Sequence, residues 1–355
     1  MGASLVFVGR IVLGTGFVLA ACCTTPVLRS LFLEPDPDVA RIHWALRVLL
    51  ALVAPLTGWL LFAAGQRLVL RGKQHRTPVV ESFEHLRGQR YVLYLRPFAL
   101  DGRMSEPPPE APGRGWSSPF EMPGHTAEDF LLRQFSSLGD VVAVGQPGER
   151  LPPLGARRGY LPLDGWQRPV SALLQGAHIV LMSVAPGPGT EWEFTEALRT
   201  VAPERLVLMV TCDAGEYDTF RREVAELYDA RRRREGGSTW APFPDLPACP
   251  WPSGGKRQYV PPVRAFVVFD RDWRPTLLPF VVSVPWMRHA WTVRRLIRAE
   301  MRPLWDWIGD LPERGPGELV SFLPSAAPAP APVPRQPLLG SVHVHRQSPP
   351  RKRRR

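Results

Sequence analysis

Lysine is almost missing from this chain: Lys73, Lys256 and Lys352 are the only three among 44 basic residues. The glycine loop over 145–155 has no lysine and no G-x-G-x-x-G run, so its signal for phosphate is weak. Cysteine is scarce too. Cys22 and Cys23 are adjacent, Cys212 and Cys249 stand alone, and no spacing suits a zinc site or a disulfide framework. That usage fits a reducing compartment, and neither a metal nor a cofactor is expected. No Ser-His-Asp order is visible. His178 opens an apolar run and reads as a structural residue rather than a base. The abundance of arginine, together with 41 prolines and many Ala and Gly, is the bias of a GC-rich bacterial gene. The net charge of +11 is unevenly placed. Seven positive charges and no acid lie in residues 324–355, which leaves +4 for the rest of the chain. A nucleic-acid-binding domain is not expected from so mild a balance.

Two long stretches lack charge. Ile11 to Leu28 and Val48 to Gln66 each approach the ~20 residues that cross a hydrocarbon core. Arg10 and Arg29 bracket the first, Arg47 and Arg67 the second, and Glu34-Pro35-Asp36-Pro37-Asp38 lies between them. The pattern predicts a transmembrane hairpin over residues 1–77, with Pro55 tolerated in the second span. Arg10, Arg67, Arg71, Lys73 and Arg76 outnumber Arg29, Arg41 and Arg47 of the connection, which puts both ends in the cytoplasm. A competing reading takes Leu19-Ala20-Ala21-Cys22 as a lipoprotein cleavage pattern.

Residues 78–275 read as a cytoplasmic α/β domain. Strands are expected at Tyr91–Leu95, Val141–Val144, His178–Val184, Arg205–Val210 and Arg264–Phe269. Helices are expected at Ala127–Phe135, Trp166–Gly176, Thr190–Thr200 and Asp218–Arg234. Alternating strands and helices imply βαβ units, and apolar runs without alternation imply a sheet covered on both faces. The expected fold is a five-stranded, mainly parallel, flavodoxin-like sheet. Long loops are expected over 101–124 and 145–155. Residues 276–323 read as a Trp-rich helical segment, and 324–355 as a disordered Pro-rich basic tail.

Chemistry concentrates where the third strand meets its helix, Gly189-Thr190-Glu191-Trp192-Glu193-Phe194-Thr195-Glu196. Ligands of open α/β sheets bind outside the carboxyl ends of the strands. A carboxylate there can serve catalysis, or can simply favour a helix N-terminus. Trp192 can stack on a base, or anchor the core. Arg96 and Asp101, beyond the first strand, can complete a polar site or form a plain salt bridge. Gly145, Gly148 and Arg150 form a loop whose backbone and guanidinium can approach a phosphate.

The stretch from Trp166 to Ser183, followed by Trp192-x-x-x-Glu196, resembles the centre of TIR (Toll/interleukin-1 receptor) domains. Gly189-Thr190-Glu191-Trp192-Glu193 also resembles the nucleophile segment of nucleoside 2-deoxyribosyltransferases. Tyr94-Leu95-Arg96-Pro97-Phe98, Gly145 to Glu149, Gly155 to Arg158 and Trp192-Glu193 together resemble uncharacterised bacterial membrane proteins with two N-terminal spans. The TIR resemblance selects Glu196 as the working carboxylate and implies self-association through the 145–155 loop. The deoxyribosyltransferase resemblance selects Glu193. Either implies action on the N-glycosidic bond of NAD or a nucleotide, where a carboxylate can stabilise oxocarbenium character. Leu95-Arg96-Pro97-Phe98 departs from the TIR opening, and the 101–124 insert is unusual. Three readings follow: a membrane-anchored TIR-like signalling or assembly module, an N-glycosidase, and a purely structural membrane protein.

Overall fold

The computed structural model describes residues 2–20, 43–80, 82–86, 88–97, 126–145, 154–162, 164–236, 240–248, 258–259, 263–280, 282–283 and 297–309, with the single positions 29, 295 and 311. The chain divides into one unit, Met1–Pro324, and a second, Ser325–Arg355, which lies outside the described residues.

Helix α1 spans Gly2–Val18 and helix α2 spans Trp44–Gln74, 31 residues with Pro55 inside. At 1.5 Å per residue α2 is about 46 Å long, more than a hydrocarbon core requires. It is long and apolar enough to cross a membrane, and α1 is a shorter apolar helix. The first apolar element thus begins nine residues before the expected span and takes Arg10 into the helix; residues 21–28 lie outside the described residues.

The two helices pack against each other through glycine. Gly2, Gly9 and Gly16 recur every seven residues, as do Gly58, Gly65 and Gly72. A seven-residue repeat keeps one stripe of a helix facing its neighbour. The stripes run antiparallel: a Cβ on Gly65 would fall 2.5 Å from the Leu13 nitrogen, and one on Gly16 would fall 2.5 Å from the Phe62 nitrogen. Small residues allow backbones to approach this closely, as in membrane helix pairs. The outward faces carry exposed Phe7, Ile11, Trp44, Leu52 and Leu56.

Four residues after α2, the chain enters an eight-stranded sheet. Its strands are β1 (Val79–Val80), β2 (Tyr91–Leu95), β3 (Asp140–Gly145), β4 (Arg157–Tyr160), β5 (Ile179–Val184), β6 (Leu206–Val210), β8 (Ala265–Phe269) and β9 (Pro275–Pro279). They lie in the order β1-β4-β3-β2-β5-β6-β8-β9. β1 to β6 run parallel, while β8 and β9 are antiparallel additions to the edge. A separate two-stranded ribbon joins β7 (Gln258–Tyr259) to β10 (Val282–Ser283), so residues 282–283 are strand where helix was expected. The sheet is therefore wider than the five expected strands. β1 and β4 escape a search for apolar runs because one is two residues long and the other reads Arg-Arg-Gly-Tyr. The prolines bounding β9 hide the third addition, and proline is tolerated at a sheet edge.

β2, β5, β6 and β8 are buried along their whole length, because helices cover both faces. Helices α4 (Gln167–Gly176), α5 (Pro188–Thr200) and α6 (Ala214–Arg234) cover one face and pack on Leu93, Leu95, Val180, Met182 and Leu208. Helix α3 (Ala127–Leu132) and helix α7 (Arg302–Gly309) cover the other, over Val92, Tyr94, Ile179, Leu181 and Val207. α3 starts on the Thr126 hydroxyl, which accepts from the Asp129 amide. α6 starts with a capping box between Asp213 and Glu216, which satisfies two otherwise orphaned groups.

Candidate functional site

The chain leaves β2 toward β3 on one side and reaches β5 on the other, so the crevice between the carboxyl ends of β2 and β5 is the topological switch point. α5 begins there. Gly187 adopts φ 147°, a conformation that side chains other than hydrogen rarely accept. Pro188 then sets the first helical turn. The Gly187 amide donates to Glu191 Oε1 at 2.7 Å. The Glu191 carboxyl is raised above its ordinary value chiefly by burial and further by the neighbouring Glu223 carboxyl, against the lowering effect of the Gly187 amide.

The two candidate glutamates are three residues apart and have opposite surroundings. Glu196 is buried. Its Oε1 accepts from Ser171 at 2.5 Å and from Arg199; its Oε2 accepts from Arg199 at 3.1 Å and from Arg231 at 2.8 Å. Burial alone would raise this carboxyl, but the hydrogen bonds from Arg199, Ser171 and Arg231 outweigh it and hold the group below the ordinary range. Arg231 also donates to Thr195 Oγ1 at 2.8 Å, and its guanidinium lies 5.4 Å from the ring centres of both Trp192 and Trp240. Trp192 meets the ring of Trp166 at 4.9 Å in an edge contact. Glu196 and Trp192 thus tie α5 to α4 and α6.

Glu193 is half-buried. Among the described residues no hydrogen bond or ion pair reaches its carboxyl, and burial pushes it up to about 8 from an ordinary 4.5. Desolvation disfavours the charged form, and nothing offsets it. The consequence for stability has a definite sign. Between about pH 4.5 and 8 the unfolded carboxyl is ionised while the folded one keeps its proton, so stability falls as pH rises through this window. At about 1.4 kcal/mol per unit, with a discount for solvent contact, the loss amounts to a few kcal/mol. Glu193→Gln should flatten the dependence of the urea midpoint on pH over that window. An unchanged slope in the variant would show that the carboxyl is not desolvated.

Arg96 lies at the end of β2 but turns to the opposite face. Its Nη2 is 3.2 Å from Glu128 Oε2, and Arg158 Nη2 is 3.2 Å from Glu128 Oε1. Glu128 and Arg158 are almost wholly buried. The structure therefore places Arg96 and Glu193 at one edge of the sheet but on different faces. Gly145 closes β3 with no room for a side chain, since a Cβ would fall 2.6 Å from the Tyr160 ring. Asp101, Gly148 and Arg150 lie outside the described residues. Sequence reasoning misses Glu128 and Arg158. Their signals are Thr126-Ala-Glu-Asp, a helix-start pattern, and the place of Arg158 between Arg157 and Gly159. Among the described residues no group of three His, Cys, Asp or Glu side chains can hold a metal ion.

No protein-family model, curated protein or solved structure matches the chain.

Proposed function

We propose that this protein is a membrane-anchored α/β module that takes a nucleoside-type ligand at the switch-point edge and cleaves its N-glycosidic bond with Glu193 as the acid. One observation carries the reading: a half-buried carboxyl, without a hydrogen-bond or ion-pair partner among the described residues, that keeps its proton near neutral pH, on the helix that starts at the switch point. Breaking the bond between the anomeric carbon and the base nitrogen builds oxocarbenium character and leaves a base in need of a proton. A carboxylic acid poised near the working pH supplies that proton, and water then adds to the carbon and returns one to Glu193. The resemblance to nucleoside 2-deoxyribosyltransferases selects the same residue. α2 is the membrane anchor; α1, held against it, is the second span, with both ends on the cytoplasmic side.

A second reading, a TIR-like signalling or assembly module without turnover, is favoured by the state of Glu196. The glutamate of Trp192-x-x-x-Glu196 has both oxygens bonded by Arg199 and Arg231, which leaves it a structural role. The full chain in lipid nanodiscs, incubated with NAD and with nucleosides, separates the two. The glycosidase reading expects release of free base, lost in Glu193→Gln. No release at high protein density, with self-association seen by cross-linking, gives the assembly reading instead.

A further inference from the structure

The end of the helix pair that leads into the sheet is strongly basic. Arg67, Arg71 and Lys73 lie in the last turns of α2, Arg76 just beyond it, and Arg10 on α1. Arg10, Arg67, Arg71 and Arg76 are exposed. No acid occurs in residues 1–33 or 39–80, so neither helix supplies a counter-charge. Packing sets Arg10 and Arg67 at one level: a Cβ on Gly9 would meet Val69 and the Gly65 carbonyl, which bracket Arg67 along α2. Arg71 stands one turn further on, on the same helix face as Arg67. Apolar surface lies at this level too, since Phe7 and Val8, in the turn before Arg10, are 67% and 48% exposed. The depth is that of a bilayer interface. Arg67 follows Trp44 by 23 residues, about 34 Å of helix. Trp44 is exposed, and tryptophan settles at membrane interfaces. A span with Trp44 at one interface brings Arg67 to the other, because the hydrocarbon core is ~30 Å thick.

We propose that Arg10, Arg67 and Arg71 form a collar that binds the headgroups of anionic glycerophospholipids in the leaflet beside the α/β body. The proposal rests on the reading of α1 and α2 as membrane spans. The chemistry of the surface selects the partner. Guanidiniums pair with phosphate oxygens through two parallel N–H bonds, and basic residues beside an anionic leaflet are drawn to it one by one. Phe7 and Val8 require a second feature, the apolar boundary beneath the headgroups. An acidic protein segment would meet the arginines and leave Phe7 in water. An anionic lipid meets both, with its phosphate on the guanidiniums and its acyl chains against the ring. A zwitterionic lipid brings its own cation to the collar, so the net negative headgroup is preferred.

The full chain in nanodiscs of phosphatidylcholine with a minor fraction of phosphatidylglycerol provides the test. Spin-labelled forms of the two lipids report the share of each that the protein immobilises. The wild type should hold phosphatidylglycerol severalfold more strongly than phosphatidylcholine, and high salt should erode that preference by screening. Arg67→Gln and Arg71→Gln should each lower it about fivefold or to parity, the worth of one basic residue at an anionic surface. Both are exposed helix positions where substitution leaves the fold intact. Arg67→Lys and Arg71→Lys keep the charge and should retain the preference. Equal immobilisation of the two lipids by the wild type overturns the proposal while the membrane anchor stands, and so does a preference that the doubly substituted Gln chain retains. Immobilisation of neither lipid removes the anchor and the collar together.

Discussion

Glu196→Gln should cost the fold on the order of 3 kcal/mol, read as a fall in the urea midpoint of the full chain at neutral pH. The carboxylate is nearly inaccessible and accepts four hydrogen bonds, from Ser171, from Arg199 twice and from Arg231. Glutamine keeps the shape and removes the charge. It leaves Arg231, whose side chain is only 9% exposed, between two tryptophan rings without its carboxylate. Breaking one side of a buried pair is costly for that reason, even where replacing the whole pair is not. The pH dependence has the opposite sign to that of Glu193. Because the folded carboxyl is held below its ordinary range, its contribution is present above that range and lost as pH falls through and below it. The paired variants thus make a crossed experiment. Glu196→Gln destabilises at neutral pH, whereas Glu193→Gln leaves stability there unchanged or raised. If Glu196→Gln were as stable as the wild type, Glu196 would not be the tie between the three helices.

The second large effect is expected at the glycine stripe. Gly65→Leu should separate α1 from α2, because even a Cβ there lies 2.5 Å from the backbone of Leu13, and backbone cannot step aside as a side chain can. Overpacking typically costs about 1–3 kcal/mol, and a four-carbon side chain against a backbone belongs at the upper end. Spin labels on Phe7 and Arg67, both exposed, report the change: a single narrow distance in the parent, and a longer, broader distribution in Gly65→Leu. Gly14 is the internal control. It lies on α1, and a Cβ added to it would meet nothing within 4 Å, so Gly14→Ala should be neutral or gain about 0.5–1 kcal/mol from helix propensity. An unaltered distance in Gly65→Leu would mean that the glycine register does not hold the pair.

The central strands were legible because each is a short apolar run with a turn at either end, and burial on both faces leaves no alternation to misread. The edges were not, for physical reasons that differ. β4 is built from Arg157 and Arg158, and Arg158 is buried only because Glu128 reaches it from α3, thirty residues earlier in the chain. No local window contains that pair. The candidate site was half legible. Spacing put Glu193 and Glu196 on neighbouring parts of one helix and Arg199 one turn beyond Glu196, but it could not show the second cation or the burial that part the two carboxyls. Arg231, on another helix, separates their fates. The glycine repeats at Gly2, Gly9 and Gly16 and at Gly58, Gly65 and Gly72 were in plain view. They are missed by counting uncharged residues, since such counting weighs what a span excludes and ignores the size of what it contains.

The connection from Gln74 to Val79 has a mechanical consequence. Four residues, stretched fully, reach about 14 Å, and β1 is then hydrogen-bonded into the sheet beside β4. With α2 in a bilayer, this leash confines the whole α/β body to a shell close to the lipid surface. Its search for any second copy becomes two-dimensional, and local crowding substitutes for affinity: contacts too weak to persist between freely diffusing proteins suffice between neighbours on one surface. Lengthening the leash, without touching any side chain of the domain, would change how often two such bodies meet.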